Sequence, residues 1–282
     1  MTVSIARRPR RREVALGGQK GAGRRKRNRF MRRFTSAAAL VAFLLFWEIY
    51  VRLTNTPAFL LPPPSAVVSE VFNSWPKLFP NAIQTIGEVA VGYGTSAVIA
   101  IILGILISVS DTLERAILPL LVATDAIPKI AVAPLLLIWF GTGATSKVVL
   151  VSLVTFFPIL ITTITGMGSA DRSLLTMFRS VGASKWDEIV KLRLPYAVPY
   201  IFAGLKVATT LSVIGAVIAE WVSSSAGLGY LIISGITNFQ TTIVFASILL
   251  LMVISLSFYN GVSFIGKRLS WQRDVKVTRM DG

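Results

Sequence analysis

Residues Ser180 to Pro195, SVGASKWDEIVKLRLP, decide how this chain is read. They form a charged, helix-forming run between two long apolar stretches, FFPILITTITG before and AVPYIFAGLKVATTLSVIGAVIA after. Arg172, Arg179, Lys185, Lys191 and Arg193 lie in or beside it, with Asp171, Asp187 and Glu188. A link between membrane spans needs only a polar turn. One this long, mixed in charge and carrying Trp186, is expected to dock a soluble partner. Ser184 with Asp187 three residues on suits a helix cap, the acid sitting near the positive helix end. Gly182 permits a sharp reversal before it, and Leu194–Pro195 is expected to end the second helix and turn the chain back into the membrane. The result is a helix–Gly–helix bracket projecting Ala183 to Glu188.

Working outward, hydrophobic residues make up 54% of the chain and charged ones 15%, with a mean hydropathy of +0.69, which places it among membrane proteins. The absence of both Cys and His removes disulfides, thiol chemistry, most zinc sites and imidazole catalysis together. Apolar runs long enough to cross a bilayer fall at about 34–53, 86–109, 116–140, 146–168, 197–222 and 242–266. The fold class expected is all-α and polytopic, with six transmembrane helices. Six spans put both termini on one side. Segments on that side carry 24 Lys and Arg, while the other side carries only Arg52, Lys77 and Lys147. That asymmetry reads as N-in, C-in.

Of the basic residues, 13 fall in residues 1–33, facing Glu13 alone. This Arg/Gly-rich tail lacks apolar periodicity and is expected to be disordered and cytoplasmic. Without interleaved aromatics it reads as a polybasic segment on anionic membrane lipid rather than a nucleic-acid binder. Residues 34–282 then form the membrane domain. Between its first two spans, Pro62, Pro63 and Pro64 interrupt the chain, and Ser65 is expected to cap a short interfacial helix through Phe72.

Two spans carry candidate pathway residues. In the third, Asp125 and Lys129 share a face of an unbroken helix, and Pro128 between them predicts a kink. Ionisable groups at membrane depth either line a pathway or brace a bend as an ion pair. The fifth places Gly204, Ala208, Ser212, Gly215, Ala216 and Ala219 at spacings of three and four, a face on which another helix can pack closely. Glu220 ends it, just before WVSSSAGLGYLI. Asp125, Pro128, Lys129, Ser212 and Glu220 are therefore the pathway candidates. No segment has the order of a nucleotide-binding loop, so any ATP chemistry is expected to belong to another chain. Neither a cofactor nor a metal is expected.

The loop resembles the EAA signature of binding-protein-dependent ABC importer permeases, in which a Gly stands ten residues before an aliphatic residue, any residue, then Leu-Pro. Gly182, Leu192, Arg193, Leu194 and Pro195 match. DAIPKIAVAPLLLIWFGTGATSKV, GASKWDEIVKLRLPYAVPYIFAGLKVA and AEWVSSSAGLGYLI resemble the nitrate/sulfonate/taurine/pyrimidine-precursor branch, and the likeness runs over residues 85–267. The acidic start of the signature falls on Thr176, followed by Met177 and Phe178, so its Glu is absent. The resemblance implies a type I importer in a bacterial inner membrane. It would comprise two permease copies (a homodimer), cytoplasmic ABC ATPase subunits and an extracytoplasmic solute-binding protein. Within the loop 169–195, Gly182, Ala183, Ser184, Lys185, Trp186, Asp187, Glu188, Leu194 and Pro195 would couple to the ATPase.

Two other classes compete. A secondary transporter needs coupling-ion carboxylates and usually inverted repeats; Asp125 supplies one candidate, and no repeat is evident. A membrane enzyme needs a nucleophile–base set, which scattered Asp and Glu do not provide. Phrases such as IGAVIAEW and GLGYLI lean toward a pyrimidine, flavin-type or other heterocyclic solute, with nitrate, sulfonate or taurine as the alternative.

Overall fold

The computed structural model describes residues 35 and 38–270; the basic tail and the last twelve residues lie outside it. The described residues form helices and connecting turns, with no strand among them. The chain divides into two units, Met1–Ala66 and Val67–Gly282.

In the first unit, α1 spans 38–53. Glu48 on α1 ties this helix to the start of α2 (Pro64–Asn73). Its carboxylate accepts from the Ser65 amide at 3.0 Å and the Ser65 hydroxyl at 2.8 Å, and pairs with Arg52 at 2.6 Å. Helix α2 begins one residue before Ser65, so Ser65 does not cap it. The Ser65 amide is instead an orphan donor of the first turn, met by Glu48.

The second unit is a helix bundle. Helix α3 (Trp75–Ile107) holds 33 residues, roughly 50 Å at the ordinary rise, and so outreaches a hydrocarbon layer. It starts well before the expected position 86 because Pro76 falls in the first turn, where a missing N–H costs nothing. After it come α4 (Asp111–Asp125) and α5 (Lys129–Phe140), bent from each other by 89°. The expected third span is thus two helices meeting at a corner. Next are α6 (Ala144–Met167), α7 (Arg172–Ser180) and α8 (Lys185–Asp187), which runs through a π-helical turn at Glu188–Arg193 into α9 (Leu194–Ser223). Helices α10 (Leu228–Thr237) and α11 (Thr241–Ser270) complete the order.

Four helical stretches among the described residues are long and apolar enough to cross a membrane: α3, α6, α8–α9 and α11. A fifth results if the bent α4–α5 pair counts as one crossing. The expected first span is described over 38–53 alone, shorter than the about 20 residues a crossing needs.

Helix α6 sits at the centre, packed against α3 and α9. The small-residue face of α9 is a packing face: Ala208, Ser212, Ala216 and Ala219 are all buried. On α3, Gly92 lies so close to α6 that a Cβ there would stand 2.6 Å from Val151 Cβ, whereas one at Gly94 would meet nothing within 4 Å. Close contact of this kind replaces the hydrophobic drive that lipid withholds. Gly92→Ala should therefore lower the melting temperature of the purified protein in detergent, as overpacking costs about 1–3 kcal/mol. Gly94→Ala should leave it equal or raised, since Ala exceeds Gly in helix propensity by about 1 kcal/mol.

Candidate functional site

The bracket is built from local signals. Asp171 caps α7, accepting from the Ser173 amide at 2.8 Å and hydroxyl at 2.7 Å, which holds its carboxyl below the usual range. Helix α7 ends in a Schellman turn: Gly182 N–H bonds Arg179 O and Ala183 N–H bonds Phe178 O, both at 3.1 Å. That turn needs a left-handed residue, and Gly182 has φ +77°. Ser184 and Asp187 then close a reciprocal capping box at the start of α8. Beyond it, Lys191 pairs with Asp187 at 2.5 Å.

The structure departs from the sequence reading at both ends of the tip. Glu188 is only 7% exposed and points inward. Its carboxylate receives Arg179 Nε at 3.0 Å and Arg193 Nε at 2.8 Å, while Arg193 Nη1 donates to Ser108 O at 3.1 Å beyond the end of α3. Glu188 is therefore the anchor of the bracket, and the exposed tip is Gly182, Ser184, Lys185 and Trp186. Trp186 is 71% exposed, and Val181 and Met177 of the same bracket are at 75% and 54%. Pro195 does not stop the helix. Leu194 N–H bonds Ile189 O, five residues back, and this wider turn precedes the proline, which occupies the first turn of α9. From Lys185 to Val222 the chain is one rod of 38 residues. Thr176, at the position of the missing signature acid, lines a cavity with Arg172 and Arg179.

At the α4–α5 corner, Asp125 and Lys129 do pair, at 2.5 Å, and Lys129 Nζ also donates to the Asp125 carbonyl. The ammonium thus meets the carbonyl end of α4, where the helix dipole is negative. Lys129 also stands 5.3 Å from the Phe157 ring centroid. Pro128 is the N-cap of α5.

Ser212 and Glu220 are placed differently. Ser212 is buried against its own chain, its hydroxyl donating to Thr209 O at 2.7 Å. Glu220, a pathway candidate at the end of its expected span, is 1% exposed. Its carboxylate receives the Thr85 hydroxyl at 2.6 Å and the Gly229 amide at 2.5 Å. The Leu228 amide donates to Thr85 Oγ1 at 2.9 Å and the Gly227 amide to Asn81 at 2.6 Å. The orphan amides at the start of α10 are thereby met by side chains of α3 and α9. A Cβ at Gly227 would run into the Glu220 carboxylate.

Sequence reasoning missed the partners beside this clasp. Lys147, counted as an outer-side residue, is buried and bridges Glu88 Oε1 at 2.8 Å and Ser224 Oγ at 2.7 Å. Gln84 donates to the same Glu88 oxygen at 2.7 Å. Three helices and the α10 entry are thus joined by one buried polar network. The spacing of Gln84, Thr85 and Glu88 on one helix was the available signal. Lys147→Met alone should strand the Glu88 carboxylate and cost about 3–5 kcal/mol, while adding Glu88→Gln should recover most of it. Melting curves of the two variants check this: equal losses would show that the pair is not coupled.

Residues 96–271 match the family model described as binding-protein-dependent transport system inner membrane component. A probable ABC transporter permease protein of Haemophilus influenzae is 34% identical over 81% of this chain and 93% of its own length. A formylaminopyrimidine transport permease protein of Halalkalibacterium halodurans is 36% identical over 76% and 85%. A riboflavin transport system permease protein of Chloroflexus aurantiacus is 36% identical over 78% and 83%. In fold, the chain is similar to a chain of the inward-facing MetNI methionine ABC transporter, with a TM-score of 0.61 at 18% identity, over 68% of this chain and 95% of that one. The bracket between its long apolar helices and these likenesses agree: the chain belongs to the binding-protein-dependent transport system inner membrane components, and is an ABC importer permease of the inner membrane.

Proposed function

We propose that this permease forms, with a second copy of itself, the translocation pathway of an importer driven by two cytoplasmic ATPase subunits and fed by an extracytoplasmic binding protein. Each copy would cross the membrane six times with both termini inside. The observation that carries the reading is the bracket: an exposed Trp186 on a tip continuous with a spanning helix. Gly182 to Asp187 would seat in the ATPase, with Glu188 holding the tip and Leu194 and Pro195 carrying the rod onward. Closure of the ATPase pair would move two such rods as rigid levers and rock the bundles between inward- and outward-open states. An isologous pair places the pathway on the twofold axis.

Asp125, Pro128 and Lys129 would line that pathway at the α4–α5 corner, where the pair keeps partial exposure. Ser212 and Glu220 drop out of the lining because both are buried within the chain. A heterocyclic solute is the preferred cargo: the relatives named for formylaminopyrimidine and riboflavin are 36% identical over 76% and 78% of this chain, whereas the 37% identity to an Escherichia coli aliphatic sulfonate permease covers only 44% of it.

Trp186→Ala and Gly182→Val should both still insert, yet lose co-purifying ATPase and uptake together. The first removes an interface anchor of the kind that costs about 2 kcal/mol or more; the second puts a β-branched residue at positive φ. Survival of both functions would reduce the loop to a connector. Single cysteines at Ser4, Ser184 and Met280 should be shielded from an impermeant thiol reagent in intact cells, while one at Ser225, exposed in the structure, should react; the native chain has no Cys background. Cells lacking this gene should lose uptake of labelled formylaminopyrimidine or riboflavin while retaining that of taurine and nitrate.

A further inference from the structure

A cavity of ≈ 700 Å³ lies between the start of α4, the end of α6 and α7. Arg115, Arg172, Arg179 and Arg193 line it, against a single carboxylate in the wall, Glu114. Glu188 stands behind Arg179 and Arg193 and is bonded to both. Arg172 pairs with no carboxylate among the described residues. Met167 and Gly168, where the apolar run of α6 ends, form part of the same wall. In the importer reading that end would lie at the membrane surface, and the arginines with it at the level of the lipid phosphates. Guanidinium forks match phosphate oxygens two at a time and keep their charge at any working pH.

We infer that this cavity is a binding site for a phosphate-bearing anion, supplied by the headgroup of an acidic phospholipid of the adjoining leaflet. Placing that leaflet on the cytoplasmic side rests on the importer reading; the site itself rests on the arginines and the end of α6. Leu175 in the wall gives the glycerol end an apolar contact. The bound headgroup would lie against α7 and Arg179, and so brace the bracket from the membrane side.

The test uses the full chain purified in dodecyl maltoside and exposed to equal phosphatidylglycerol and phosphatidylcholine, with retained lipid read by native mass spectrometry. The wild type should retain phosphatidylglycerol preferentially, and Arg115→Gln/Arg172→Gln should reduce that retention by about tenfold. The control Lys267→Gln/Arg268→Gln, away from the cavity, should not. Titration with inorganic phosphate separates the sources. Phosphate binding that the double variant loses, without any lipid preference, would assign the site to a soluble anion. Equal lipid and phosphate binding by wild type and double variant would overturn the inference. Co-purification of the ATPase with either protein reports on the importer reading separately, because neither mutated arginine belongs to the docking tip.

Discussion

A carboxylate shared by two guanidinium groups fixes the root of the bracket. Glu188 is buried at the root of the bracket and joins Arg179 of α7 to Arg193 of the π-helical turn. Arg193 in turn reaches the Ser108 carbonyl at the end of α3. Two neighbouring elements and the distant end of α3 thus share one charged node. Hydrogen bonds between ionised groups are roughly twice as strong as neutral ones; the Arg193 arm is largely buried, while Arg179 is 64% exposed and contributes less. The root of the tip is thereby tied both to the end of α3 and to the turn that leads into α9.

The other end of the bundle solves a different problem with the same chemistry. Helix α10, ten residues long, cannot cross a bilayer, and its first amides would be left without partners in an apolar setting. Glu220 and Thr85 supply those partners, and the neighbouring Glu88–Lys147 pair keeps α3 and α6 in register with them. Proline has opposite effects at two places for equally local reasons. At Pro128 the helix breaks, and Lys129 closes the exposed end of α4. At Pro195 the preceding turn widens, and the rod continues unbroken.

Much of this was legible in the sequence because the signals are local. Apolar length located α6, α9 and α11 to within a few residues, and Gly182 with Ser184 and Asp187 specified the turn and cap of the bracket. What escaped depends on tertiary partners. Nothing in the run SKWDEIVK distinguishes Trp186, which points out, from Glu188, which points in, until Arg179 and Arg193 are placed around the latter. Glu220 read as a pathway candidate because its partners, Thr85 and Gly229, come from a distant helix and from a backbone amide. Proline rules predicted a stop at Pro195 since they assume α-helical spacing; a single π turn removes the clash they describe.

In the proposed importer the exposed tip of the bracket meets a cytoplasmic ATPase. Site-specific photocrosslinking tests it most directly, with benzoylphenylalanine introduced at Trp186 and, as a control, at Phe239, which is also largely exposed and lies at the other end of the bundle in the proposed topology. Irradiation of intact cells should yield a covalent adduct between position 186 and the ATPase chain, and none from position 239. An ATPase adduct at position 239 alone, or adducts from position 186 to lipid only, would contradict the account.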